Sequence, residues 1–310
     1  MNIVMVGTGY VGLISGLGFA EFGFNVTCID KDNDRLRKLS QNIMPIYEPG
    51  LTELFKKHYV NTKRIKLTSD YSSSLSKADV VFITVGTPSR RIDDEADLTD
   101  VYSVADEIAS NIKKYCLIVT KSTVPVGTTE ALNEKYNQKI KIVHSPEFLT
   151  ARTAITDFIC PSRHIIGGHA SRGTNKLKEI YESRFPGVPC YVMTSKESEF
   201  IKYFANCFFA TKVSYFNEMA VFAKAHNLDW ENVIKGVMSD GRIGISHYQV
   251  PGHDGNPGFG GTCFPKDINA LIKSFENIGE EPLVLKAAWE RNLSVRNEKD
   301  WESSKSAVSE

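Results

Sequence analysis

Asn2-Ile-Val-Met-Val-Gly-Thr-Gly-Tyr-Val-Gly-Leu13 begins with apolar residues of strand character and breaks onto Gly7, Gly9 and Gly12 in the spacing GxGxxG. An apolar, proline-free stretch follows to Phe22, and Asn25-Val-Thr-Cys-Ile-Asp30 then returns to strand character and ends on a carboxylate. The order strand, tight turn, helix, strand is one βαβ unit. Three glycines at this spacing are a weak signal alone, but here they follow a strand, open a helix and lead to an acid. The first two glycines permit a tight turn and a close backbone approach to a pyrophosphate, whose charge rests on the helix N-terminus. Asp30 then accepts hydrogen bonds from adenosine ribose hydroxyls and repels a 2′-phosphate, which favours NAD over NADP.

Outward from this unit, short apolar runs recur at Val80 to Val85, Leu117 to Thr120, Ile140 to Val143 and His164 to Ile166, separated by segments of crossover length. Strands alternating with helices predict an α/β fold, a doubly wound, mainly parallel Rossmann sheet over residues 1–195. Beyond it, Lys196 to His226 contains neither glycine nor proline and predicts one long helix; Leu228 to Met238 predicts another. Pro251 to Gly261 is too rich in glycine and proline for regular structure, and Pro265 suits the first turn of a helix running towards Ile278. Residues 196–296 therefore read as a smaller all-α domain with a long central helix. Residues 297–310, polar and serine-rich, read as a frayed or partner-dependent tail.

Lysine plus arginine and aspartate plus glutamate both number 37, so no global field draws the chain to nucleic acid or to an anionic membrane. With no basic leader and no long apolar run, a cytoplasmic location is expected. The six cysteines form no CxxC pair, so neither a disulfide framework nor a zinc knuckle is expected. His247, His253 and Cys263 match no common metal-site spacing.

Two more stretches end predicted strands: Thr84-Val-Gly-Thr-Pro88, with Thr87 and Pro88, and Lys121-Ser-Thr-Val-Pro-Val-Gly-Thr128, with Ser122 and Thr123. Open α/β sheets bind ligands at such carboxyl ends, so both are expected to line the cofactor crevice, although plain turns have the same composition. In Gly260-Gly-Thr-Cys-Phe-Pro-Lys-Asp267 the thiol of Cys263 stands just upstream of a helix start and near Lys266. Helix-end charge and a neighbouring cation lower a thiol pKa, though a lone cysteine is usually an inert core residue. Lys202 and Asn206 lie four apart on the long helix and can donate from one face to a single oxygen. Glu147 follows Pro146 just past another strand, where catalytic carboxylates sit.

In this order, Gly9-Tyr-Val-Gly-Leu13, Tyr47-Glu-Pro-Gly-Leu51, Lys121 to Thr128, Pro146-Glu-Phe-Leu149 and Phe259 to Asp267 resemble the UDP-glucose/GDP-mannose dehydrogenase family, over residues 1 to about 295. The resemblance implies an NAD-dependent, four-electron oxidation of a nucleotide sugar's C6 alcohol to the carboxylate. UDP-glucose is the first expectation, and GDP-mannose or a UDP-N-acetylhexosamine the alternatives. It implies Cys263 as the nucleophile of a thiohemiacetal and thioester. Lys202 and Asn206 become oxyanion donors, and Glu147 the base for water, with Thr123 and Asp267 assisting. Cofactor contacts fall on Gly7, Gly9, Tyr10, Val11, Gly12, Asp30, Arg35, Thr87, Pro88, Ser122 and Lys266. Substrate contacts fall on Glu147, Phe148, Leu149, Lys202, Asn206, Arg242, Gly258, Phe259 and Gly260. A homodimer through the long helix is implied as well. Three departures stand out. Members usually carry a third, nucleotide-gripping domain, so part of that site is expected to be missing here. A second family glutamate is Ala151 in this chain, and the stretch from Arg242 to Cys263 is about five residues longer than the common spacing. A non-catalytic NAD-binding partner is the alternative from another class.

Overall fold

A computed structural model describes residues 1–136, 140–169 and 171–309. The chain divides into two compact units, Met1–Thr87 with Leu98–Lys202, and Pro88–Asp97 with Tyr203–Glu310. In chain order the elements begin β1 (Asn2–Val6), α1 (Tyr10–Glu21), β2 (Asn25–Ile29), α2 (Asn33–Ser40), α3 (Leu51–Lys56), a π-helical turn (Lys57–Asn61), β3 (Ile65–Thr68), α4 (Tyr71–Leu75) and β4 (Val80–Ile83). They continue through β5 (Ser89–Arg90), α5 (Thr99–Asn111), β6 (Leu117–Thr120), α6 (Thr128–Tyr136), β7 (Ile142–His144), α7 (Ala154–Ile159), β8 (His164–Gly167), α8 (Arg172–Arg184), β9 (Cys190–Met193) and the long α9 (Ser195–Ala225). The chain then forms α10 (Trp230–Met238), α11 (Phe264–Asn277), α12 (Leu283–Val295), a 3-10 turn (Asp300–Ser303) and β10 (Val308–Ser309).

The first unit is the predicted doubly wound sheet, eight strands in the order β3-β2-β1-β4-β6-β7-β8-β9. Every pairing is parallel except β7 with β8, which meet antiparallel at His144 and Gly167. Both faces are covered. Ile3 and Met5 of β1 join one apolar cluster with Leu13, Leu17 and Phe82, while Val4 and Val6 join the other with Ile83, Val101 and Ile108. Burial on both faces explains why these strands read as continuous apolar runs. Strands β3 and β9, at the two edges of the sheet, are the ones the sequence pattern did not mark.

The second unit is the expected helical region, and β5 and β10 add a short parallel pair to it, Val308 opposite Ser89 and Ser309 opposite Arg90. The tail from Asn297 is also not frayed. Trp301 is buried with its ring 5.5 Å from that of Trp289, and the Arg296 guanidinium pairs with Asp254 and Asp300 at 2.7 and 3.2 Å. An indole and a buried ion pair anchor a segment whose polar composition alone suggested disorder; Glu310 lies outside the described residues. The predicted long helix runs from Ser195 to Ala225. No helix among the described residues is long and apolar enough to cross a membrane.

Candidate active site

The glycine turn is shaped by exclusion. Gly7 adopts φ +98°, and a Cβ there would lie 2.8 Å from the Thr84 carbonyl oxygen. A Cβ on Gly12 would lie 1.8 Å from the Gly7 oxygen, so α1 can pack its first turn on the preceding loop only with hydrogen at this place. Gly9, just before α1, faces open space, with nothing within 4 Å of its would-be Cβ. Two glycines close the turn and the third leaves it bare, which suits a pyrophosphate approaching the first turn formed by Tyr10 and Val11.

Asp30 ends β2 as expected. Its Oδ2 accepts from the Thr8 backbone N–H at 2.7 Å, the Thr8 hydroxyl at 2.5 Å and the Arg35 guanidinium at 2.9 Å. Its Oδ1 accepts from the Asp32 N–H. Burial pushes this carboxyl up, but the Thr8 hydroxyl, the two backbone N–H groups and Arg35 outweigh it and hold it below the usual carboxylate range. Arg35, expected at the cofactor, is thus held against Asp30. The Thr87 hydroxyl donates to the Thr123 carbonyl at 2.6 Å and Ser122 to that of Val85 at 2.7 Å, so these residues tie the ends of β4 and β6 together. Pro88, the neighbour of Thr87, begins the segment that belongs to the second unit, where its carbonyl accepts from Asp97.

Past β7, Glu147 is half-buried beside Lys202. Its Oε1 lies 3.0 Å from Lys202 Nζ, and its Oε2 accepts the Leu149 N–H at 2.6 Å. Lys121, at the end of β6, donates to the carbonyls of Ser145 and Pro146 at 3.2 and 3.4 Å. The Phe148 ring lies under Lys202, 5.5 Å away, and under Arg163, 4.1 Å away. Lys121, Glu147, Phe148, Leu149, Arg163 and His164 are among the residues lining a cavity of about 190 Å³. Burial raises the Glu147 carboxyl, yet the charge of Lys202, the Leu149 N–H and Lys121 leave it below its ordinary value. Burial brings Lys121 down to about 8, against the pull of Glu147. Lys121 had no role in the sequence reading; its only mark was a place at a strand end.

In the second unit, Cys263 is exposed and forms the N-cap of α11, its Sγ 3.8 Å from the Thr262 hydroxyl. The Asp267 N–H closes the first turn on the Cys263 carbonyl at 2.9 Å. Asp267 itself is buried, accepting from Asn206 Nδ2 at 2.5 Å and pairing with Lys266. Lys202 and Asn206 each hold a carboxylate, Glu147 and Asp267 respectively. Lys266, expected at the cofactor, is engaged with Asp267. Gly258 and Phe259 donate their N–H groups to Asn217 and Asn292, and Gly261 donates to Asp300. A Cβ on Gly260 would lie 2.2 Å from the Arg296 guanidinium. Asn217, Asn292, Arg296 and Asp300 thus shape the expected substrate loop, and nothing in their sequence surroundings marked them. Arg242 is exposed on a loop and pairs with Asp240.

Residues 1–184 match the UDP-glucose/GDP-mannose dehydrogenase family, NAD binding domain, and residues 196–294 match the central domain of the same family. A UDP-glucose 6-dehydrogenase of Rhizobium meliloti is 41% identical over 285 residues, 89% of this chain and 64% of that protein. One of Bacillus subtilis is 38% identical over 93% of this chain and 64% of its own length. This chain thus spans less than two thirds of these relatives. Among solved structures, a UDP-glucose dehydrogenase from Pyrobaculum islandicum aligns with a TM-score of 0.84 at 33% identity, covering 94% of this chain and 68% of that one. A GDP-mannose dehydrogenase from Pseudomonas aeruginosa aligns at 0.72 and 29% identity, over 95% and 69% of the two chains.

Proposed function

From the fact that this chain belongs to the UDP-glucose/GDP-mannose dehydrogenase family, we propose that it oxidises the C6 alcohol of a nucleotide sugar, UDP-glucose first, to the carboxylate. The observation that carries this reading is an exposed thiol, Cys263, at the N-terminal end of α11, one turn from a buried aspartate that holds Asn206. A thiol so placed gains from the positive end of the helix and is accessible to an electrophilic carbon. NAD, when bound, accepts one hydride in each of two oxidations, so two are reduced per sugar.

The residues of the chain supply the rest. Gly7, Gly9 and Gly12 bring backbone to the pyrophosphate, and Asp30 takes the ribose hydroxyls, which selects against a 2′-phosphate. The Cys263 thiolate adds to the aldehyde carbon to give a thiohemiacetal. After the second oxidation the carbon stays bound to sulfur as a thioester. Water then adds to the thioester carbonyl, Glu147 takes the proton from that water, and the C–S bond breaks to release the carboxylate and restore the thiolate. Thr123 and Asp267 assist the water and its proton, while Lys202 and Asn206 donate to the developing oxyanions. The Glu147 carboxyl, held in its basic form beside Lys202, suits the role of base. Phe148, Leu149, Arg242 and the Gly258 to Gly260 loop line the sugar side of the substrate. The protein acts as a homodimer through α9, whose exposed Phe208, Tyr215, Met219 and Phe222 recur at helical spacing along one stripe.

Incubation with UDP-glucose and NAD is expected to yield two NADH per sugar, and a parallel panel of GDP-mannose and UDP-N-acetylhexosamines reads the specificity. Cys263→Ala is expected to lose at least about a hundredfold of turnover to the acid, as removal of covalent machinery does. Full conversion to the acid by that variant would rule out the thioester route.

A further inference from the structure

Tyr47-Glu-Pro-Gly-Leu51 leads into α3. Tyr47 is 79% exposed, whereas Glu48 beside it is 6% exposed. A buried carboxylate is costly unless its oxygens are bonded. Here three donors from two distant segments bond it. The Tyr10 hydroxyl donates to Oε2 at 2.7 Å, the Arg152 N–H to the same oxygen at 2.9 Å, and the Ala154 N–H to Oε1 at 2.8 Å.

Tyr10 is the first residue of α1, inside the dinucleotide turn. Arg152 and Ala154 belong to the segment that leaves Glu147 and enters α7. Within it Glu147 accepts the Leu149 N–H at 2.6 Å and Asp157 the Thr150 N–H at 2.8 Å. Arg152 has φ +73°, a left-handed conformation that a residue with a Cβ adopts reluctantly, and Thr153 makes no side-chain cap for α7. Glu48 satisfies the N–H at the strained residue and the first N–H of the helix. It thereby supplies from another loop the acceptor that the local sequence lacks.

We propose that Glu48 is a positioning residue that fastens the Glu147-bearing segment to the dinucleotide turn through Tyr10, so that seating the cofactor orders residues 147–154. The carboxylate is the common node. A ligand that immobilises Tyr10 removes motion from Glu48 and, through it, from the Arg152 and Ala154 amides. By reciprocity, ordering of the segment strengthens dinucleotide binding. This rests on the reading of Gly7 to Gly12 and Asp30 as an NAD site.

Hydrogen exchange of the full chain, with and without saturating NAD, tests the link in wild type, Glu48→Gln and Tyr10→Phe. In wild type NAD is expected to slow exchange across residues 147–154 by about tenfold or more. In Tyr10→Phe the Arg152 and Ala154 bonds to Glu48 remain, so exchange without NAD should stay within about twofold of wild type; at saturating NAD, with Thr8 to Gly12 still protected, the protection of residues 147–154 should disappear. Glu48→Gln turns an amide toward donors, so the segment should exchange faster even without NAD. A merely structural Glu48 would leave the protection intact in Tyr10→Phe, and that result overturns the proposal. If NAD fails to protect Thr8 to Gly12 in wild type, the cofactor reading falls and the proposal with it. Should Glu48→Gln not fold, Tyr10→Phe decides alone.

Discussion

Lys121 shows how much a single buried charge weighs in this chain. Its ammonium is enclosed at the end of β6, and burial lowers its pKa from 10.5 to about 8. In the unfolded chain the ordinary value returns, so between about pH 8 and 10.5 the unfolded state binds more protons than the folded state. Stability therefore rises with pH through that window. At neutral pH the folded protein bears the whole cost of the buried charge. Lys121→Met is expected to abolish the rise: in urea unfolding at pH 7.5 and 10.5, wild type should gain on the order of 3 kcal/mol relative to the variant. An unchanged difference between the two proteins at both pH values would show that Lys121 keeps its ordinary pKa when folded. The sequence marked Glu147, Lys202, Asn206, Cys263 and Asp267 because each occupies a strand end, a helix face or a helix start. It gave Lys121 and Glu48 no individual role, since a lysine or glutamate letter carries no sign of burial and the partners of Glu48 lie 38 and 104 residues away.

Among the elements, the β1 turn and α1 were legible almost atom for atom, because GxGxxG encodes steric exclusion rather than propensity. Gly12→Ala forces a methyl to 1.8 Å from the Gly7 carbonyl oxygen and 2.6 Å from the Thr84 hydroxyl, and the Gly7 backbone cannot yield by that much. It should cost about 3 kcal/mol or more, lowering the thermal midpoint by roughly 10 °C and removing NAD affinity. Gly9→Ala projects into open space at φ −69° and should leave the midpoint within about 2 °C while still weakening NAD binding. A calorimetric scan and an NAD titration of the pair distinguish the two. Loss of the midpoint in both, or in neither, would contradict the assigned division of labour. The long α9 was legible from its unbroken lack of glycine and proline. The edge strands β3 and β9 were not, because a strand with a partner on one side only needs less apolar surface, and Tyr191 and Val192 of β9 are in fact exposed. The pairing of β5 with β10 joins residues more than two hundred apart, beyond the reach of any local pattern.

For the molecule as a whole, the apolar stripe of α9 sets the expectation for assembly. Phe208, Tyr215, Met219 and Phe222 present more exposed ring and thioether surface than a monomer ordinarily leaves on one helix face. Native mass measurement should give twice the mass of the chain, and Phe208→Glu with Phe222→Glu should shift it to the single chain. A wild type of single mass would refute the dimer. The sequence pattern changes after Thr194, while the chain passes from the first compact unit to the second at Lys202. What was not legible is that Pro88–Asp97 leaves the first unit's sequence to belong to the second. That excursion makes the second unit discontinuous in the gene. A chimera that swaps in another protein's helical part by one crossover at Lys202 would inherit a mismatched ten-residue insert, and the partner of β10 would come from the wrong parent. Recombination between relatives therefore has to cut three times, at both ends of the excursion and at Lys202, or select only pairs whose Ser89–Arg90 strands are interchangeable.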